Sequence, residues 1–240
     1  LTYLLYLIEK NINKIMNSLK SISPLDGRYA DKTKELRETF SEFELIRCRI
    51  YVEIEYFIFF LTKILKIILL PDTKKFLDDI CLDFDENECL RIKEIEKETN
   101  HDVKAVEYYI KEKLNDKKIK KYKEFVHFGL TSQDINNTAI PLSIKEAMEE
   151  VYVPQYVELL EKMETLVIEW KDVSMLARTH GQPASPTRLG KEINVFVTRL
   201  KEQFKLLNKI PNAAKFGGAT GNYNAHKVAY PIIDWKEFGS

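Results

Sequence analysis

Apolar residues recur along most of this chain at three- and four-residue intervals, the spacing that gathers one face of an α-helix. Leu45, Cys48, Val52, Tyr56, Phe59 and Leu65 keep it across residues 41–70 and predict a core helix. Asp85 and Glu88 form an Asp-x-x-Glu variant of the capping box, and Cys89, Ile92 and Ile95 give the next helix its face as far as Thr99. Val103, Val106, Ile110 and Leu114 mark a third helix, for which Asn100 is the expected N-cap. A longer pattern follows Thr131 and Ser132 and runs through Ile135, Leu142, Met148, Tyr156, Leu159, Met163 and Leu166 to Trp170. Pro141 and Pro154 should kink or interrupt it, because proline lacks an N–H and its ring collides with the carbonyl four residues back. Leu189, Ile193, Phe196, Leu200, Phe204 and Leu207 define the last helix, with Ser185 as cap, Pro186 in the first turn and Pro211 as terminator. Residues 186–210 would then form a rod about 35 Å long. No long run alternates between apolar and polar residues, so the pattern predicts an all-α fold.

The segments between these helices divide the chain. Residues 1–15 are unlike the rest, an apolar octet running into Glu9, Lys10 and Lys14, and they read as an N-terminal extension ahead of an initiator at Met16. Asn115 and Asp116 open a lysine-rich stretch to Lys123, which reads as an exposed connection and places a domain boundary near residue 120. Gly217, Gly218 and Gly221 make residues 216–222 a mobile or tightly turned loop that would let backbone approach a ligand. It lacks the Gly-Lys-Ser/Thr end of a phosphate-binding loop and the strand-borne Gly-x-Gly-x-x-Gly of a dinucleotide site.

Composition narrows the class. A hydrophobic fraction of 45% over 240 residues suffices for a real core, and 37 basic against 37 acidic side chains argue against a general nucleic-acid binder, which needs a basic face. Cys48, Cys81 and Cys89 lack metal-type spacing and read as reduced thiols of a cytoplasmic protein, mostly core filler. The octet 1–8 is too short to span a bilayer and lacks the flanks of a signal peptide. The apolar run 50–70 carries Glu53, Glu55, Lys63 and Lys66, so no membrane partner is expected.

Several residues could carry chemistry. His180 stands before Gly181, Gln182 and Pro183, where a helix cannot continue. An imidazole at such a break either rests against backbone carbonyls or exchanges a proton near neutral pH. Arg28, in the turn Ser23-Pro24-Leu25-Asp26-Gly27-Arg28-Tyr29, is either solvated surface or a fork of donors for carboxylate or phosphate. Asn100 and His101 at a helix N-terminus either cap it, with Asp102 complementing its dipole, or meet an anion. Thr131 and Ser132 offer the same choice, between cap and hydroxyl donors for a small carboxylate. His226 reads as surface.

Taken together and in this order, five stretches resemble the adenylosuccinate-cleaving branch of the fumarase/aspartase superfamily. They are SPLDGRY at 23–29, TNHDVKAVEY at 99–108, HFGLTSQDINN at 127–137, RTHGQPASP at 178–186 and GNYNAHKVAYP at 221–231. The second is specific to that branch rather than to fumarases or argininosuccinate lyases, and the resemblance covers residues 16–240. It implies a helical N-terminal domain over residues 16–120, followed by the first part of a long central helical bundle over 121–240. The implied reaction is β-elimination of fumarate from adenylosuccinate to give AMP, and from the succinyl-carboxamide ribotide of purine synthesis, with neither metal nor redox cofactor.

On that resemblance His180 is the general acid with Thr179 beside it. Arg28, Tyr29, Asn100, His101, Asp102, Thr131 and Ser132 bind substrate, and His127 stands behind them. The implied assembly is a homotetramer whose active sites combine residues of three subunits, bound to a small nucleotide substrate and not to nucleic acid. Two departures stand out. Gln133 occupies a position where the family often has Glu or Ser. The signature S-S-x-M-P-x-K-x-N-P, which would bring a serine base and a carbanion-holding lysine, is not among these 240 residues. The chain therefore reads as the N-terminal half of such a lyase, inactive by itself. The competing reading is a non-enzymatic helical oligomerisation module.

Overall fold

The computed structural model describes residues 19–115 and 117–239; the expected extension 1–15, Met16 and Asp116 lie outside them. Contacts divide the chain into two compact units, one formed by residues up to 144 together with those from 215 onward, the other by residues 145–214. The sequence places its boundary near 120 instead. There Ile119 and Val126 are buried in one core with Tyr122 and Phe125 packed against it, while Lys120 and Lys121 of the short turn Lys120–Phe125 stay exposed.

In the first unit a short helix α1 (Arg37–Phe40) leads into α2 (Glu42–Phe59), which starts where Ser41 Oγ accepts the Glu44 N–H. The sequence pattern marks one apolar face of α2, but the helix is buried on most of its circumference, with Glu44, Arg49 and Glu53 enclosed among its apolar side chains. Ile46, Ile50, Ile54 and Phe57 enter a core shared with α3 (Pro71–Leu82), α4 (Glu86–Thr99) and α5 (Asp102–Leu114). Cys48 and Val52 pack with Val103, Ile135 and Ala139, and Tyr56 packs with Phe60, Tyr223 and Trp235. Each large apolar side chain so enclosed contributes roughly 1.5–3 kcal/mol. Instead of running to residue 70, the helix widens into a π turn at Phe60–Ile64 and gives way at Lys66, whose φ is 57°. No helix among the described residues is long and apolar enough to cross a membrane.

Asp85 caps α4 by accepting the Glu88 N–H at 2.9 Å; the Glu88 carboxylate pairs with Lys113 instead of reaching back. The next junction differs from the sequence reading. Asn100 is not the cap of α5 but the left-handed residue that ends α4, with φ 50°, and His101 is the N-cap. Asparagine suits both roles, because its short polar side chain tolerates the left-handed region.

α6 (Ser132–Ala147) contains Pro141, and after it the chain takes a π turn at Met148–Tyr152 and continues as α7 (Val153–Glu169). The wider turn lies just ahead of Pro154, where an α-helix would leave a missing donor and a ring-to-carbonyl clash.

The second unit holds α7, two strands and α8 (Leu189–Leu207). Its helices pack through Tyr156, whose hydroxyl donates to Leu200 O at 2.9 Å and whose ring stacks on Phe204 at 5.0 Å. Between them β1 (Ser174–Thr179) pairs antiparallel with β2 (Gln182–Arg188). The mostly helical fold is as expected, with this small hairpin set between its helices, and the last helix starts at Leu189 rather than Pro186. Pro183 and Pro186 fit the strand because a two-stranded ribbon has an outward edge on each strand, where a missing N–H leaves nothing unpaired. The ladder slips between Leu176 and Arg178, opposite these prolines.

Gly190 lies where α8 leaves the hairpin. A Cβ there would sit 2.5 Å from Val167 O and 2.7 Å from Lys171 N, both backbone atoms that cannot swing aside. Gly190→Ala should therefore destabilise the chain. The helix-propensity gain of about 1 kcal/mol is smaller than the roughly 1–3 kcal/mol of overpacking. A lowered urea midpoint is the expected result, and an unchanged or higher one would show that the two helices can separate freely.

Candidate functional site

Two helix N-termini of the first unit, those of α5 and α6, meet at a single hydrogen bond. His101 Nδ1 accepts the Lys104 N–H at 3.1 Å, capping α5, and its Nε2 lies 3.2 Å from Ser132 Oγ at the start of α6. Asp102 Oδ2 receives Arg49 Nη2 at 2.7 Å, while Arg49 Nε donates to Asn136 Oδ1 at 2.9 Å, so one buried guanidinium ties the two helices below that bond. Partial burial raises the Asp102 pKa, but the Val103 N–H and Arg49 outweigh it and hold the carboxyl below the ordinary aspartate range. Beside this junction lies a recess of about 550 Å³ lined by Lys93, Glu96, Lys97, Asn100, His101 and Asp102. The Lys93 ammonium is already held by Glu42 and Glu96 at 2.7 and 2.6 Å.

The turn leading into α6 is pinned from beneath. His127, with φ 61°, places Nδ1 2.5 Å from Glu53 Oε1. Glu53 is fully enclosed, and its second oxygen has no hydrogen-bond partner among the described residues. Burial pushes the Glu53 carboxyl up, with His127 opposing. Burial alone would lower His127, but the hydrogen bond and charge of Glu53 raise it. Tyr56 Oη donates to Phe128 O at 2.5 Å and stands 3.0 Å from His226 Nε2. Arg49, Glu53 and Tyr56 follow one another at helical spacing along α2, a polar stripe in an apolar rod.

His226 corrects another expectation. It is fully buried, not on the surface, with the Trp235 ring centre 4.6 Å away, and burial holds its pKa down. A Cβ on Gly129, whose φ is 71°, would lie 2.8 Å from this imidazole, so the turn needs glycine both for its backbone and for its space.

Asp134 closes the arrangement. Its enclosed carboxylate accepts the Thr131 N–H at 2.8 Å, the Gly217 N–H at 2.8 Å and the Gly218 N–H at 3.0 Å, and it pairs with Lys215 Nζ at 2.7 Å. The glycine-rich loop is thus a tight turn fastened to the start of α6, with positive φ at Gly218 and Gly221.

The structure brings Asn100, His101, Asp102, Thr131 and Ser132 into one neighbourhood. Arg28 and Tyr29 lie on an exposed turn of their own, the guanidinium 5.6 Å from the Tyr29 ring centre. Thr179 and His180 belong to the second unit, at the exposed tip of its hairpin. His180 and Gly181 form the two-residue loop, and their φ values of 48° and 76° satisfy the positive φ a type I′ turn needs at both central positions. Sequence reasoning did not single out Arg49, Glu53, Tyr56, Asp134, Asn136 or Lys215 as site residues. The available signal was Arg49 and Glu53 themselves, charges within a run otherwise apolar enough for a core.

A family model described as "Lyase" matches residues 27–240. A curated protein named adenylosuccinate lyase from Dictyostelium discoideum is 53% identical over 232 residues, 93% of this chain and 50% of its own length. Proteins of the same name from Haemophilus influenzae and Escherichia coli strain K12 are 46% and 41% identical, each again covered over 50% of its length. The chain thus spans about half the length of the curated relatives it matches. Among solved structures, a fumarate lyase from Mesorhizobium sp. BNC1 superposes with a TM-score of 0.65 at 20% identity, over 80% of this chain and 44% of that one. A β-carboxy-cis,cis-muconate cycloisomerase from Acinetobacter calcoaceticus superposes equally well at 19% identity, over 81% and 45%. At such identity these two speak for the fold alone.

Asp134→Asn tests the central fastening. The amide would set an NH2 against N–H groups and leave Lys215 without its counter-charge, so a loss of about 3 kcal/mol in unfolding free energy is expected by denaturant titration. A loss under about 0.5 kcal/mol, the range of ordinary surface substitutions, would contradict this account.

Proposed function

Because the chain belongs to the lyase family, we propose that it contributes to an adenylosuccinate lyase, which removes fumarate by β-elimination from adenylosuccinate and from the succinyl-carboxamide ribotide of purine synthesis. The observation that carries this reading is the meeting of the α5 and α6 N-termini at the His101–Ser132 bond. Helix N–H groups and hydroxyls together hold a small dicarboxylate without a metal, and they can strengthen as charge grows on the aci-carboxylate.

In this reaction a base removes the carbon-bound proton next to a carboxylate, the electron pair moves into that carboxylate, and the C–N bond breaks as an acid protonates the leaving nitrogen. We assign the acid to His180, with Thr179 beside it. Support comes from the other three of the four histidines. His101 spends its nitrogens on Lys104 and Ser132, His127 is engaged by Glu53, and His226 is walled in beside Tyr56. His180 alone has neither ring nitrogen in a hydrogen bond among the described residues. We assign the substrate-binding set to Arg28, Tyr29, Asn100, His101, Asp102, Thr131 and Ser132, with the nucleotide as the bound small molecule. The scheme has no step for a metal or redox cofactor, and three cysteines outside any disulfide suit a cytoplasmic setting.

In the proposed enzyme four copies associate through the second unit. Leu159, Ile168, Phe196 and Leu206 on α7 and α8 are more than half exposed, too apolar a set to be left in water. Light scattering of the full-length protein should give the mass of a tetramer, and a monomer at micromolar concentration would remove this part of the reading.

Turnover is read from the loss of near-ultraviolet absorbance of adenylosuccinate. The full-length protein should catalyse it, and His180→Ala should slow it about a hundredfold or more, the scale of a general acid. The 240-residue chain alone should be inactive, since the serine and lysine of the S-S-x-M-P-x-K-x-N-P signature are not in it. A full-length protein without turnover, or one indifferent to His180→Ala, would favour the oligomerisation module.

A further inference from the structure

A backbone N–H can only donate. The contact between Lys104 N and His101 Nδ1, 3.1 Å, therefore requires a bare lone pair on Nδ1. A neutral imidazole with a bare Nδ1 carries its proton on Nε2, and Nε2 faces Ser132 Oγ at 3.2 Å. The ring must then donate and the serine oxygen accept. Ser132 keeps its own hydroxyl proton, for which the described residues offer no other hydrogen-bond partner. Arg49, by holding Asp102 and Asn136, fixes the two helix ends that set this distance.

We infer that His101 is a positioning residue: the cap of α5 locks its Nε2–H tautomer, and that tautomer turns the Ser132 hydroxyl proton outward, toward an anionic oxygen of a bound carboxylate. The ring so placed moves no proton itself. Nε2 is already protonated, and a second proton on Nδ1 would face the Lys104 N–H and break the cap. His101 and Ser132 thus form one donor in series rather than two independent contacts. The inference rests on the lyase reading only for the identity of the carboxylate; the tautomer stands apart from it.

Two measurements decide it. Long-range proton–nitrogen correlation spectra of the 15N-labelled chain resolve its four histidines, with His101→Asn removing one set of signals and so assigning it. A bare Nδ1 and a protonated Nε2 are expected, whereas the opposite tautomer or a doubly protonated ring at neutral pH would overturn the proposal whether or not the protein is a lyase. The second measurement uses adenylosuccinate turnover by the full-length protein. His101→Asn keeps an oxygen where Nδ1 caps the helix but does not reach Ser132. It should raise KM about tenfold with a smaller change in kcat, as should Ser132→Ala, and the double variant should be no worse than either. His101→Gln, whose amide nitrogen falls near Nε2, should restore KM while weakening the cap. A double variant whose effects multiply to about a hundredfold, or a His101→Gln no better than His101→Asn, would show that the two residues act separately. Absence of turnover in the unaltered protein would defeat the lyase reading while leaving the tautomer decided by the spectra.

Discussion

An enclosed carboxylate is costly unless several donors surround it, and Asp134 has four: three backbone N–H groups and the Lys215 ammonium. Much of the first unit follows from that requirement. To supply the Gly217 and Gly218 donors, the chain after residue 214 must return to the start of α6, which is why those residues belong with the first unit although 70 residues of the second intervene. Once there, the segment lays Tyr223, His226 and Trp235 against Tyr56 and Phe60 of α2. The space that His226 then occupies is the space a side chain at residue 129 would need, so the turn before Thr131 has to carry glycine.

The second constraint is the polar stripe on α2. Arg49, Glu53 and Tyr56 each reach a different stretch of the candidate site: Asp102 and Asn136, then His127, then Phe128 O with His226. Apolar side chains in their place would pack as well and stabilise the helix more, since burying charge rarely returns its full cost. Their worth lies in position. Dispersion contacts are non-directional, whereas a guanidinium between Asp102 and Asn136 fixes where two helix ends point. The second oxygen of Glu53, without a hydrogen-bond partner among the described residues, is the residual cost of serving one neighbour from inside the core.

This also explains how much could be read from the chain. Helix positions were legible because burial on one face leaves a period in the sequence: α4 and α5 begin and end within a residue or so of their predicted bounds, and the two helix starts that carry Asn100 to Asp102 and Thr131 with Ser132 are where the pattern puts them. What was not legible depends on contacts between distant residues. His226 looks like surface beside Asn224 and Lys227, and only the return of the chain to Tyr56 buries it. Asn100 is as good an N-cap as a left-handed helix end, and the choice falls to His101 because its ring can also reach Ser132, 31 residues away. The hairpin has prolines where strands usually forbid them, a prohibition that lapses when both strands are edges.

The four histidines show how one side chain is given four tasks by its surroundings. Acid catalysis asks for a nitrogen free to lose and regain a proton, while orientation asks for the reverse, a ring whose protons are already assigned. In the first unit each imidazole is bound at a ring nitrogen by a cap, by a buried carboxylate or by a phenol within an aromatic wall, and those constraints make it a fixed donor or a packing element. Among the described residues His180 is held through its backbone, by the positive φ of a two-residue turn, which fixes the Cα and leaves the ring without a hydrogen bond. Fixed donors suit the developing carboxylate charge, because they are in place before it forms and need not reorganise. In the proposed reaction a ring without a hydrogen bond would suit the departing nitrogen, where a proton has to move. On the proposed assignment, preorganised binding would fall to imidazoles the fold has already committed, and proton transfer to His180, whose ring is in no hydrogen bond among the described residues.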